Sequence, residues 1–385
     1  MKFIIYNLGC KVNSYESNVM TENLENAGYI LTDKVEDAAI AIVNTCSVTN
    51  TADSKSLKTL RQVKKNNPNI ILIACGCLAQ VNSKIIKEKT NADIIIGNIG
   101  KSKIVDIIKN YLRDKNSIED IKDIMHSSFE TMQLNNFDKT RAFVKIQDGC
   151  NNFCSYCIIP YTRGNVRSKP KDDVIKEVKE LIKSGHQEIV LAGIHTGHYG
   201  SEFKDYDFAD LLNELVKIDG LLRLRISSIE IVELNDKFLE VLKNNKVLVD
   251  HLHIPLQSGS DPILKAMNRR YNLEYYENKI KEIRKIRPNI SISTDVIVGF
   301  PGETKELFEE TIATVKRLQF SKIHVFPYSR RKGTKADLMP NQVDEHEKKE
   351  RARILIEVSK ELEIAYMTKF INTEVSFIAE TYVDG

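Results

Sequence analysis

No apolar run in this chain approaches the roughly 20 residues that a membrane-crossing helix needs, and no secretory leader pattern opens it. A membrane partner is therefore excluded from the reading, and a cytoplasmic protein is expected. Surplus charge is also scarce: 56 Lys and Arg stand against 53 Asp and Glu, a net of +3. A global positive field cannot then gather a polyanion, so any contact with nucleic acid must come from local clusters. Lys64-Lys65, Arg269-Arg270 and Arg330-Arg331-Lys332 are such clusters, although paired surface cations usually mark a solvated face. Fixed-period repeats and low-complexity tracts are missing, which removes solenoids and arrays.

What the chain does have is length and thiols. Its 385 residues suffice for two domains with cores of their own. Residues 1–113 alternate strand and helix signals, with strands at Phe3–Tyr6, Ala39–Val43, Ile70–Ala74 and Asp93–Ile96. That alternation predicts an α/β domain on an open parallel sheet. Residues 114–140 turn polar and weakly periodic, and read as a linker. Six strand signals follow within residues 141–370, separated by helical stretches such as Lys171–Ser184 and Thr304–Leu318. Six β/α units predict a partial barrel, short of the eight that close one. A charged amphipathic helix over Asp344–Lys369 reads as a structural connector.

Seven cysteines in a reducing compartment favour metal or redox chemistry over disulfides. Cys150, Cys154 and Cys157 form a C-x3-C-x2-C run just after a predicted strand. Three thiolates from one tight loop can reach three irons of a cubane, leaving the fourth iron open to substrate. The rival is structural zinc, which wants a fourth ligand; His126 and His186 are nearest in sequence, neither at a finger-like spacing. Cys10, Cys46 and Cys77 each follow a predicted strand, and strands of a parallel sheet end along one edge, so these three can converge as a second triad. Cys75, inside its strand, reads as core.

The run from Gln147 to Pro160, with an aromatic at Tyr156, resembles the cluster loop of radical S-adenosylmethionine enzymes, and among them the methylthiotransferases. Leu8 to Ser17, Asn44-Thr45-Cys46 and Gly76-Cys77-Leu78-Ala79-Gln80 are similar to that family's other cysteine positions, so the likeness covers nearly the whole chain. The resemblance implies a [4Fe-4S] cluster on Cys150, Cys154 and Cys157 that binds S-adenosylmethionine and, once reduced, splits it to a 5′-deoxyadenosyl radical. It implies an auxiliary [4Fe-4S] cluster on Cys10, Cys46 and Cys77, the platform for the transferred sulfur and methyl. It further implies tRNA as partner through the anticodon loop and an electron donor such as flavodoxin or ferredoxin; the sulfur donor stays open.

Cys10-Lys11-Val12-Asn13 resembles the group that acts on C2 of N6-threonylcarbamoyladenosine; groups acting on isopentenyladenosine or on a ribosomal-protein aspartate carry other residues after that cysteine. A noncatalytic iron-sulfur RNA-binding protein is the alternative from another class. Gly193, Gln257, Ser258, Asp295 and Gly299, at barrel strand ends, resemble the S-adenosylmethionine pocket, although each could equally shape a tight turn. Ser227, Ser228 and Glu230 share that ambiguity. Residues 371–385, with a strand over Thr373–Ala379, read as the start of a truncated RNA-binding β-barrel. Arg330, Arg331, Lys332 and Lys335 would then serve as phosphate contacts at the barrel rim.

Overall fold

The computed structural model describes residues 1–380. Six strands, β1 (Lys2–Asn7), β2 (Ile30–Leu31), β3 (Ile40–Thr45), β4 (Ile71–Gly76), β5 (Ile94–Ile96) and β6 (Ile118–Asp120), make one all-parallel sheet in the order β2-β1-β3-β4-β5-β6. Side chains alternate across it. Ala41, Val43, Leu72 and Ala74 pack on α2 (Asn50–Asn66) and α3 (Cys77–Thr90), while Ile40, Ile42, Ile73 and Cys75 pack on α1 (Lys11–Asn26) and α4 (Ile104–Asp114). Cys75 is thus a core residue, as its place in the strand predicts.

Chain direction switches between β1 and β3, and the open end of a doubly wound sheet at such a point is where ligands sit. Cys10 caps α1, Cys46 directly follows β3 and Cys77 opens α3, so all three stand along that edge.

The segment 114–140 is not a free tether. Ile118–Asp120 joins the sheet as its edge strand, and Met132, Leu134 and Phe137 are buried in the core of the second domain. A three-residue strand with one apolar member leaves no period in the sequence, which is why the polar composition pointed to a linker.

In the second domain β7 (Arg141–Lys145), β10 (Glu188–Ala192) and β11 (Arg223–Ile226) form one parallel sheet, and β12 (His251–His253), β13 (Ser291–Val298) and β14 (Lys322–Pro327) another. A parallel bridge between Leu224 and Leu248 joins them into a six-stranded partial barrel. A small hairpin of β8 (Gln147–Asp148) and β9 (Arg167–Ser168) brackets the cysteine run. Outward residues such as Val144, Leu224, Ile226, Ile292 and Val296 fill the core against the surrounding helices. The helix Glu345–Thr368 lies along β14, burying Leu355 and Val358, with Ser359 Oγ accepting the Ile323 N–H at 3.0 Å. Thr373–Ala379 forms no strand, since no neighbouring strand pairs with it among the described residues; residues 381–385 of that expected segment lie outside them.

Candidate active site

One thiol triad belongs to each domain. Cys46 Sγ would lie 3.0 Å from a Cβ at Gly9, so the chain just before Cys10 packs on that thiol, and the positive φ of 113° at Gly9 makes the approach open to glycine alone. Burial raises the Cys10 thiol, and Cys77 nearby adds to the shift; burial pushes Cys46 up to about 11, with Cys77 and Cys10 contributing. Across the boundary, burial pushes Cys150 up to about 11 and Cys157 up to about 12, each further raised by Cys154. Holding Cys10, Cys46, Cys150 and Cys157 as thiolates calls for positive charge beside them, which a metal core would supply.

The spacing tests which core fits. A single tetrahedral zinc brings its sulfurs to about 3.8 Å of one another. Among the described residues, the groups whose ligand atoms all fall within 4.8 Å are His195–His198–Glu233 and His253–Asp295–His324, and neither thiol triad is one of them. Neither triad therefore gathers its sulfurs as a single zinc ion requires, which speaks against the zinc reading. Polar hydrogens also point at sulfur: Asn152 N–H to Cys150 at 3.5 Å, Arg269 Nη1 to Cys154 at 3.4 Å, and Asn98 Nδ2 to Cys77 at 3.7 Å. Hydrogen bonds of this kind are what tune an iron-sulfur centre.

Between the triads lies a buried ionic cluster that sequence reading missed. Glu16, on the helix that Cys10 caps, meets Lys101, Lys145 at 2.7 Å and Arg163 at 2.6 Å, all shielded from solvent. Burial alone would raise the Glu16 carboxyl, but Arg163, Lys101 and Lys145 hold it well below the usual range. Asp148, two residues before Cys150, meets Lys145 at 2.6 Å and Arg163 at 3.2 Å and is held down to about 2 against the opposing effect of burial. Arg163 Nη2 also donates to Asn13 Oδ1 at 2.6 Å, while Asn13 Nδ2 donates to the carbonyls of Leu8 and Thr45. One guanidinium thereby ties the loop of the second triad to the loops carrying Cys10 and Cys46. Lys145 closes β7 directly after the apolar Ala142, Phe143 and Val144, the one sequence signal that could have found this cluster.

Histidines fall differently from their sequence order. His126 is exposed beside Asp123 and His186 bonds Asn136 at 3.0 Å, both away from the thiols. His195 is the one at the site, with Nδ1 3.6 Å from Cys150 Sγ and Nε2 against Glu233. Burial lowers His195 to about 4 and raises Glu233 to about 7, so burial disfavours the charged form of each. Glu230 pairs with Arg269, which carries it to the Cys154 side of the loop.

A cavity of about 230 Å³ opens at the barrel mouth, walled by Val48 and Thr49 from the first domain and by Tyr156, Gln257, Asp295, Ile297 and Tyr328 from the second. Gln257 holds a left-handed backbone, φ 65°, pinned by its N–H to Asp295 O and its carbonyl from Ile297 N–H, both 2.8 Å. Gly193, Ser258 and Gly299 do not line this cavity. Gly193 packs on Gln147 and Thr196, and Ser258 is fully buried behind Ser260. A Cβ at Gly299 would meet Lys348 Cγ at 2.3 Å, so the C-terminal helix packs on that backbone. Ser227 bonds Thr196 at 3.3 Å. At the rim, Arg331 is buried, bonded to Asp53 at 2.7 Å, Asn50 and Ser47, so it is committed to the domain boundary and is not free for a phosphate. Arg330 pairs with Asp337, whereas Lys332 and Lys335 are exposed.

Residues 144–315 match the family model of the radical SAM superfamily, and residues 2–97 match the one described as uncharacterized protein family UPF0004. The chain is 43% identical to the threonylcarbamoyladenosine tRNA methylthiotransferase MtaB of Bacillus subtilis, over 97% of its own length and 84% of that protein's. The chain belongs to the radical S-adenosylmethionine methylthiotransferases. Its likeness to the Thermotoga maritima protein of the same name is 38%, covering 98% of this chain and 86% of that one. The tRNA-2-methylthio-N(6)-dimethylallyladenosine synthase of Clostridium tetani is 39% identical over 92% and 80%. In fold, this methylthiotransferase is similar to the cobalamin-bound radical S-adenosylmethionine methyltransferase TsrM of Kitasatospora setae, with TM-score 0.63 at 13% identity over 88% and 77% of the two chains. As a member of the family, the methylthiotransferase uses S-adenosylmethionine and a [4Fe-4S] cluster.

Proposed function

We propose that this enzyme transfers a methylthio group to C2 of N6-threonylcarbamoyladenosine beside the anticodon of tRNA. Cys150, Cys154 and Cys157 would hold the cluster that, when bound, supplies the electron for cleaving S-adenosylmethionine; Cys10, Cys46 and Cys77 would hold an auxiliary cluster. The observation that supports the reading is a thiol triad in each domain, with Arg163 tying the loops that carry them and a cavity walled by both domains. Gln257 and Asp295 would orient S-adenosylmethionine there. Tyr156 and Tyr328 would keep water from the reacting atoms, as a radical step requires.

The nucleoside is favoured by the relatives that bear its name and by the inward face of the barrel. Arg223, Arg225, His251, His253, Ser293, Asp295 and His324 share that face by strand alternation, and such a lining suits a polar substituent and not a prenyl group. An adenine in an unpaired anticodon loop can be turned out toward the mouth more cheaply than one in a duplex. An electron donor of the flavodoxin or ferredoxin kind would reduce the protein in the cytoplasm. Nucleoside mass analysis of tRNA from a deletion strain, with and without this gene restored, tests the proposal. Restoration of the 2-methylthio form of threonylcarbamoyladenosine supports it, and restoration of the isopentenyl product alone sinks it.

A further inference from the structure

The turn that follows β10 carries a donor set of its own beside the cysteine run. His195 precedes a single 3-10 turn, Thr196–His198, closed by the His198 N–H on the His195 carbonyl at 2.9 Å. Side chains three apart eclipse in such a turn, and the two imidazoles accordingly stack, with centroids 3.9 Å apart and planes 19° from parallel. Glu233, at the end of the 3-10 turn Ile231–Glu233, is aimed at them. Its Oε2 accepts the Glu230 N–H at 3.1 Å, while its Oε1 lies against His195 Nε2 and 3.4 Å from His198 Nε2. Gly197 makes this approach possible, since a Cβ there would stand 1.9 Å from Glu233 Oε2.

The His195 and Glu233 side chains are 5% and 8% exposed, and neither His195 Nε2 nor Glu233 Oε1 makes a hydrogen bond among the described residues. Buried polar atoms in that condition are costly, and two in contact call for one partner that serves both. All three ligand atoms, two imidazole nitrogens and a carboxylate oxygen, lie within 4.8 Å of one another. The charged groups whose fields reach them are Glu202, Glu230 and Glu233 against Arg269 and Arg270, a balance that favours a cation.

We propose that His195, His198 and Glu233 bind a divalent ion of the zinc class, with three protein ligands and an outer position for water. His198, whose side chain is a quarter exposed, is the solvent-side ligand by which the ion enters. Ligation through Nε2 puts the His195 ring proton on Nδ1, which faces Cys150 Sγ at 3.6 Å, so the imidazole becomes a donor to that sulfur. This link rests on the assignment of Cys150 to the S-adenosylmethionine cluster proposed above. A hydrogen bond to a cluster sulfur favours the reduced, more negative state, so the ion would ease the entry of the electron.

The test dialyses anaerobically reconstituted holoenzyme against zinc chloride and counts zinc and iron in wild type, His198→Ala, Glu233→Gln and, at the other histidine–carboxylate group, His324→Ala. Wild type and His324→Ala should each retain one zinc per chain with iron unchanged. Loss of a partner outside the ligand set weakens metal sites roughly 10- to 100-fold, so loss of a ligand in His198→Ala or Glu233→Gln should weaken zinc by roughly 100-fold or more. Glu233→Gln keeps the carbonyl that holds the Glu230 N–H and His198→Ala alters a partly exposed side chain, so both should fold, as melting without zinc checks. Zinc-edge absorption should show nitrogen and oxygen at about 2.0–2.2 Å and no sulfur at about 2.3 Å. Zinc should also move the wild-type cluster's midpoint potential to a less negative value and leave that of His198→Ala where it was. Failure of wild type to retain zinc, sulfur in the zinc shell, equal retention in all four proteins, or loss in His324→Ala alone overturns the site. Retained zinc with an unmoved potential overturns the link to Cys150. Absence of a cubane signal from wild type overturns the cluster reading beneath that link, and the zinc counts are read independently of it.

Discussion

Glu16 is one carboxylate facing three cations, and that imbalance decides what its removal does. Without it, Lys101, Lys145 and Arg163 are left buried with Asp148 as the carboxylate among them. Removing Arg163 instead leaves Glu16 two lysine partners. Breaking a buried pair by deleting one member costs about 3–5 kcal/mol, so Arg163→Met should fall near the lower end of that range and Glu16→Gln near or above the upper. Urea unfolding of the two variants checks the ranking, and a larger loss in Arg163→Met would refute the imbalance argument. Under the proposed assignment the thiols would divide by role. Cys154→Ala should abolish 5′-deoxyadenosine formation and lower bound iron by roughly half. Cys46→Ala should lower iron similarly while leaving some cleavage and no methylthio product. Cys75→Ala should keep all its iron, since Cys75 is packed among Ile73, Ile94 and Ile104. Anaerobic reconstitution with iron and product counting reads all three; iron loss in Cys75→Ala would reassign the odd cysteine.

At the scale of elements, the turn after β13 shows how the long C-terminal helix is held. Glu303 accepts the Gly299 N–H at 2.9 Å and Arg351 Nη1 at 2.6 Å, and Lys348 lies over Gly299. A side chain at Gly299 must adopt φ 69° and displace Lys348, at a backbone cost of about 1–2 kcal/mol before any repacking. Gly299→Ala should therefore speed hydrogen exchange along Glu345–Thr368 while S-adenosylmethionine affinity holds; lost affinity with unchanged exchange would return Gly299 to the pocket. The sequence made strands such as β3, β4 and β13 legible because several apolar residues alternate or run together in each. Cys10, Cys46 and Cys77 stood out because each lies at or just beyond a strand end, and topology brings those ends to one edge, whereas Cys150, Cys154 and Cys157 stood out as a local run. β6, with a single apolar residue, gave no period. Glu16, Arg163 and Asp148 gave none either, because a buried charge is recognised by its partner, and those partners lie up to 147 residues away. Arg331 misled for the same reason: a basic run looks solvated until Asp53 is found beside it.

For the whole molecule the open question is how a chain of net charge +3 holds a polyanion. Lys332 and Lys335 are exposed and close in sequence to Tyr328 and Arg331, which help to wall the cavity, and on the proposed function they would meet phosphates flanking a turned-out base. Each phosphate contact releases counterions and adds roughly 0.7–0.9 to the slope of log affinity against log salt. Neutralising both lysines with glutamine should therefore flatten that slope by about 1.5 and weaken tRNA binding most at low salt, with cluster content intact. Arg331→Gln should behave otherwise. Its guanidinium spans the boundary to Asp53, Asn50 and Ser47, so its loss loosens one wall of the mouth without removing a phosphate contact. The expected result is an unchanged salt slope with a lower unfolding midpoint, and Asp53→Asn should reproduce it without adding to it in the double variant. If Arg331→Gln flattens the slope as the lysines do, the ion pair opens on binding and Arg331 reaches the RNA after all; if the double lysine variant leaves the slope untouched, the tRNA approaches by another face of the barrel.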